Sequence, residues 1–340
     1  MKLVLVTFDG CRWEEIFRGA DRHLAKQLVG SKLDTNLIEA VSKGNHEEKR
    51  AALAPFFWNT IAKQGMLIGN RDKGSTLALT NPHLFSYPGY SELFCGYVDR
   101  HVNSNNYPDN PNKGMVDFLC ETDTTYRNDI VAFSNWSAFS RILNSNRNGV
   151  CMYDDFVTGD SVRKKPHCYY FKNFETTIPG HSPYSEKDTL VYRFAKEYLH
   201  RFHPKVAFIG FDETDHMGHV GNYPGIIGAI RQFDSYMEDL WNALQADSFY
   251  KDQTILAVTC DHGRGGWAAG MWHWHGMLWP GSRFTWLAVI GPGVKATGEQ
   301  KGLHIAYHNQ IAGTLMKLMG KDYKIAGKHV GRPIKEVIEE

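Results

Sequence analysis

KVAFIGFDETDHMGH, Lys205 to His219, opens as an apolar, β-branched run from Val206 to Phe211 and breaks into a loop holding Asp212, Glu213, Asp215, His216 and His219. An unbroken run of this kind is the mark of a strand buried on both faces. A strand that ends in carboxylates and imidazoles is an economical metal holder, because the strand fixes the backbone and the loop presents the ligands. Two other stretches repeat the plan. Lys2 to Thr7 runs on to Asp9, and Thr254 to Thr259 runs on to Asp261–His262. Three strand ends with ligand-type side chains predict one composite site at the carboxyl edge of a sheet.

Outward from that stretch, strands are expected at 3–8, 66–70, 129–135 and 284–290 as well. Helices are expected over 47–64 (interrupted by Pro55), from near Ser86 through Phe94, over 137–148, 185–202, 224–244 and 305–319. Strands alternating with helices imply an α/β fold, a largely parallel central sheet with helices on both faces. Residues 22–46 have the composition of a surface excursion, and 97–112, rich in Asn, Pro and Asp, of a long loop of the kind that often carries function. The irregular stretch 150–183 is the candidate for a small lid or insertion within one catalytic domain spanning 1–340. The segment 263–283 is rich in Gly and Trp.

The 340 residues are 42% hydrophobic and 22% charged, as in a globular rather than a disordered chain. A net charge of +1 leaves no electrostatic footprint for bulk nucleic-acid or anionic-membrane binding. No apolar run reaches the ~20 residues of a membrane span. The six cysteines, Cys11, Cys95, Cys120, Cys151, Cys168 and Cys260, form no CxxC pair. They fit buried free thiols, or one structural disulfide. A start directly at the first strand suits a periplasmic or secreted mature form, with a cytoplasmic protein as the alternative.

Each ligand candidate has a plain alternative when taken alone. Asp9 could cap the next segment, Asp261–His262–Gly263 could be a tight turn, and His219 a surface residue. Together, Asp9, Asp215, His219, Asp261 and His262 are the oxygen and nitrogen donors that zinc-like ions accept. With one more His and one hydroxyl the set is too large for one tetrahedral ion and suits two. Two ions about 3.5–4 Å apart form the clamp used in phosphoryl transfer. Ser86, just before a Tyr-Pro-Gly that opens a helix, is the best-placed hydroxyl. It lies where free N–H groups favour an anion, although an N-cap role alone would also explain it.

TDHMGH at 214–219, TCDHGRG at 259–265, VTFDG at 6–10 and SYPGYSELFCG at 86–96 together resemble the alkaline phosphatase superfamily. In order and spacing they look most like its nucleotide pyrophosphatase/phosphodiesterase branch. The match spans Leu3 to Leu318. The resemblance implies an alkaline phosphatase-like three-layer sandwich and two divalent ions, zinc first, with Mn or Mg as alternatives. One ion falls to Asp215, His219 and a late histidine, His275, with His273 as runner-up. The other falls to Asp9, Asp261, His262 and the nucleophile Ser86, with Ser91 the weaker alternative. Asn105 is the implied donor to a phosphoryl oxygen, with Asn103 and Asn106 nearby.

No C-x-P-S-R or S-x-P-S-R sequence is present, so the formylglycine sulfatase pattern lacks its nucleophile. Cys95 resembles helix packing. Arg12 and Arg264 either supply positive charge or lie at the surface. The implied activity is a metal-dependent phosphoric ester hydrolase, a phosphodiesterase or phosphatase, acting on a small molecule through a phosphoserine. The alternatives are a phosphomutase, a sulfatase-like hydrolase without formylglycine, and a binding protein that has lost its chemistry.

Overall fold

The computed structural model describes residues 1–25, 35–154, 185–266 and 269–339. Its strands are β1 (Lys2–Phe8), β2 (Gly65–Ile68), β3 (Ser75–Ala78), β4 (Ile130–Ser134), β5 (Cys151–Asp154), β6 (Val206–Phe211), β7 (Thr254–Thr259), β8 (Phe284–Thr285), β9 (Leu287–Ile290), β10 (Gly298–Glu299) and β11 (His304–Tyr307). Helices used below are α1 (Trp13–Arg18), α2 (His46–Leu53), α3 (Ser86–Cys95), α4 (Met115–Thr122), α5 (Ser185–Phe202), α6 (Glu213–His219), α7 (Tyr223–Ala246) and α8 (Gln310–Leu318).

β1 sits between β7 and β6, in an eight-stranded sheet ordered β10-β2-β9-β7-β1-β6-β4-β5. Both of its pairings are parallel, with Phe8 opposite Phe211 and Thr7 opposite Thr259. The register therefore brings the three ligand-bearing ends level. β9 runs antiparallel to both its neighbours, and the other pairs are parallel. A smaller sheet, β11-β3-β8, lies apart.

Side chains alternate across a strand, and β1 is apolar in both phases. Val4, Val6 and Phe8 enter a core shared with α5 and α7. Leu3 and Leu5 enter a second core shared with α3, α4 and α8. This is the expected α/β architecture, a largely parallel sheet between two helical layers. Phe8, directly under Asp9, meets Phe233 at 5.0 Å and Trp286 at 5.7 Å between ring centroids. That aromatic packing anchors the end of β1 where the next residue must be placed accurately.

Several local expectations change. Residues 213–219 are a helix, not a loop; acidic residues in its first turn and histidines in its last suit the helix dipole. The 47–64 helix does stop before Pro55, at Leu53, and restarts as a wide π-type turn at Phe57–Ile61. Asp234 of α7 accepts the N–H groups of Phe56 and Phe57 at 2.9 and 3.0 Å. The 284–290 strand divides at Trp286 into β8 and β9, which belong to different sheets. Residues 304–307 are a strand, so the last helix starts only at Gln310. The 137–148 helix is two short turns, separated at Asn144, whose φ is +46°. Residues 151–154 of the 150–183 stretch form the edge strand β5; from residue 155 the suggested lid lies outside the described residues. Cys11, Cys95, Cys120 and Cys260 are buried free thiols.

Candidate metal centre and active site

Asp9 continues the β1 ladder, its N–H donating to Phe211 O at 2.9 Å. The next residue, Gly10, turns sharply at φ +59° and donates its N–H to Asp261 Oδ1 at 2.9 Å. A Cβ at Gly10 would lie 2.6 Å from Asp215 Oδ1 and 2.8 Å from Arg264 Nε. The glycine thus lets three strand ends converge.

His262 is fully buried. Its Nδ1 lies 2.9 Å from Gly263 O, which makes that nitrogen the donor and leaves Nε2 with a lone pair. Nε2 stands 3.4 Å from Asp261 Oδ2 and 3.7 Å from both Asp9 Oδ1 and Asp215 Oδ1. Burial lowers the His262 pKa to about 4, so the ring is neutral.

α6 turns the D-x-x-x-H spacing into one helical face, with His219 Nε2 3.0 Å from Asp215 Oδ2. The Thr214 hydroxyl donates to Asp9 O at 2.6 Å and ties this helix to β1. His275 brings its Nε2 to 3.1 Å from His219 Nε2 and 3.9 Å from Asp215 Oδ1, and its ring stacks on His262 at 4.3 Å. Burial pushes its pKa down to about 2. His273 reaches the cluster through its backbone, accepting from Arg264.

Ser86 is the first residue of α3, and extended Phe85 is the N-cap, so capping does not account for this hydroxyl. Ser86 Oγ is 3.3 Å from His262 Nε2. Gly89, one turn on, packs so closely that a Cβ there would lie 2.4 Å from Asp261 O. Asn105 accepts the Tyr87 N–H at 2.9 Å through Oδ1, which places its amide group beside Ser86. Asn103, Asn105 and Asn106 are all exposed. Ser91 faces inward, its hydroxyl accepting from Asn110 Nδ2 at 3.0 Å.

Two residues near the site were left open or outside the ligand set by the sequence. Arg264 is buried, and its guanidinium donates to Asp215 Oδ1, to Asp215 O and to His273 O. Nothing local in a Gly-rich loop signals that burial. Asp212, outside the expected ligand set, has a carboxylate oxygen within 4.8 Å of oxygens of Asp9 and Asp215. Its spacing of three from Asp215 was the available signal. Glu213 points its N–H, like that of Asp212, at Asp188 Oδ2.

The donor set fits divalent cations. Asp9–Asp261–His262 and Asp215–His262–His275 each bring ligand atoms within 4.8 Å of one another. Asp9 Oδ1 and Asp261 Oδ2 are buried without a hydrogen-bond partner, a costly condition unless a cation completes them. Burial, then the Asp261 and Asp215 charges, raises the Asp9 pKa well above the carboxylate range. Burial lifts Asp261 to about 7. Asp215 goes the other way, because Arg264 and His219 outweigh its burial.

Solved structures share this architecture from end to end. An alkaline phosphatase PafA variant aligns at a TM-score of 0.62 with 12% identity over 99% of both chains. The fold is therefore alkaline phosphatase-like. Human ectonucleotide pyrophosphatase/phosphodiesterase 5 aligns over 100% of both chains at TM-score 0.57 and 11% identity. The phosphonate monoester hydrolase of Agrobacterium radiobacter aligns at 0.56 and 14%, over 98% of this chain and 76% of its own. Residues 169–267 match the Metalloenzyme superfamily profile. No curated protein sequence matches the chain significantly.

Proposed function

We propose that this alkaline phosphatase superfamily chain is a two-metal hydrolase of phosphate esters working through a phosphoserine on Ser86. The observation that carries the proposal is the Ser86 hydroxyl, at the open end of α3 and 3.3 Å from His262 Nε2, beside buried carboxylate oxygens without partners. Two divalent ions, zinc by the donor set, would be held by Asp215, His219 and His275 and by Asp9, Asp261, His262 and Ser86, where they would acidify the serine hydroxyl and neutralise charge on the phosphoryl oxygens.

The chain's own part is placement. Ser86 Oγ forms the new bond to phosphorus as the ester oxygen leaves, and water then releases the phosphoryl group from Ser86. Asn105, with Oδ1 committed to Tyr87 N–H, has its Nδ2 available to donate to a non-bridging oxygen. The His262 tautomer, fixed by Gly263 O, keeps Nε2 an acceptor.

One observation favours a phosphodiester over a monoester. A monoester's third anionic oxygen calls for a free cation, and both arginines near the motifs are committed. Arg264 holds Asp215, and Arg12 forms a two-point pair with Glu15. With zinc supplied, a nitrophenyl phosphodiester should turn over faster than the monoester or a nitrophenyl sulfate. The Ser86→Ala protein should lose turnover and retain nearly its full metal content. Undiminished hydrolysis by Ser86→Ala with metal bound would overturn the nucleophile assignment.

A further inference from the structure

A cavity of about 660 Å³ lies between α1, α2 and residues 264–266 and 272–284, with Arg264 in its lining. Its lining carries Arg12, Arg18, Lys49, Arg71 and Arg264, with His23 and His46, against Glu14, Glu15 and Asp21. The pairings decide what this charge can do. Arg12 is held by Glu15, Arg18 by Asp72, and Arg264 by Asp215. Among the described residues, Lys49 Nζ reaches only a backbone carbonyl, Ala20 O, at 3.3 Å. Arg71 lies over the Phe284 ring, 3.4 Å from its centroid. Among the described residues neither Lys49 nor Arg71 has an ion-pair partner.

Glu14, which lines this cavity, also has a buried carboxylate oxygen, Oε2, without a hydrogen-bond partner. That oxygen can accept from a hydroxyl. Trp272 and Phe284 add apolar walls. Cations outside any direct ion pair, an acceptor without a donor and aromatic faces together describe an anionic ligand with hydroxyl groups.

We propose that this cavity is a second ligand site, distinct from the metal cluster, for an oxyanion ester of a polyol such as a sugar phosphate or sugar sulfate. Lys49 and Arg71 take the oxyanion, Glu14 accepts from a ligand hydroxyl, and a sugar face lies against Trp272 or Phe284. The cavity and the metal cluster share one wall, the Arg264 guanidinium. The proposal does not depend on the reaction assigned above, because its readout is binding.

The test is calorimetric titration of metal-loaded Ser86→Ala protein, which does not consume the probe, with glucose 6-phosphate, glucose 6-sulfate and inorganic sulfate. A binding event that survives chelation of the metals is expected with each probe, at least tenfold tighter for the sugar esters than for sulfate. Adding Lys49→Gln and Arg71→Gln should weaken that event tenfold or more. The same pair in the otherwise unaltered protein should leave nitrophenyl ester turnover unchanged. If the double variant melts early, Lys49→Glu alone should remove the event by placing an anion at the mouth. No event surviving chelation, or one unaffected by these substitutions, overturns the site; equal affinity for sulfate and the sugar esters overturns the polyol.

Discussion

Asp9 and Glu92 are carboxylates of nearly equal burial, 3% and 1% exposed. Glu92 lies on α3, fewer than two turns beyond Ser86. It accepts from the Thr80 N–H and hydroxyl at 2.9 and 2.8 Å, the Asn81 N–H and side-chain amide at 2.9 Å each, and the Asn309 N–H at 3.2 Å. Asp9 has Oδ1 bare, with Asp261 and Asp215 as its electrostatic company. Burial alone therefore does not separate a structural carboxylate from a chemical one. The supply of donors does. Glu92 joins α3 to two loops, whereas Asp9 belongs to a cluster whose charge is left for a cation to balance.

The difference can be broken from either side. Asp9→Asn should lower turnover on the order of 10³-fold and reduce metal content. It should also raise the melting temperature of the metal-free protein, since one of several repelling carboxylates is gone. A lower metal-free melting temperature would mean that Asp9 is structural after all. Asn105→Ala should cost on the order of 10²-fold in kcat with metal content unchanged, which steady-state kinetics and metal analysis check together. Glu92→Ala should do the opposite, losing about 3 kcal/mol of unfolding free energy by stranding buried donors while retaining metal.

The smallest effect concerns pH. His308 is fully buried, with Nδ1 3.3 Å from Thr285 Oγ1 and Nε2 without a partner. Burial lowers its pKa to about 3. Between pH 6.5 and 3 the unfolded chain binds a proton that the folded one refuses, so this histidine lowers stability as pH falls through that window and has no effect above it. His308→Gln should show a smaller loss of melting temperature from pH 7 to pH 5.

Much of this was legible in residue order. Strands β1, β6 and β7 are buried on both faces, so each reads as a continuous apolar run, and the residue after the run marks the sheet edge. Ser86 was visible because Pro88 and Gly89 announce a helix start. Short apolar segments without a dominant period were not legible. HIAYHNQIAGTL fits a helix as well as a strand, and only pairing with β3 makes 304–307 extended. Trp286 gave no local sign that the chain changes sheets there. Arg264 was opaque for another reason. The slot that buries it is lined by Gly10 and Gly218, whose added Cβ atoms would come within 2.8 and 2.7 Å of its side chain. Those glycines lie far away in sequence.

The position of β1 between β6 and β7 also bears on synthesis. Its hydrogen-bonding partners are residues 206–211 and 254–259. At roughly 5–20 residues per second, a ribosome needs on the order of ten seconds or more to supply them. During that interval an apolar strand with two unpaired edges is exposed to every other nascent chain nearby. A translation product stopped short of residue 259 is therefore a client for chaperones rather than a fragment with partial affinity for metal.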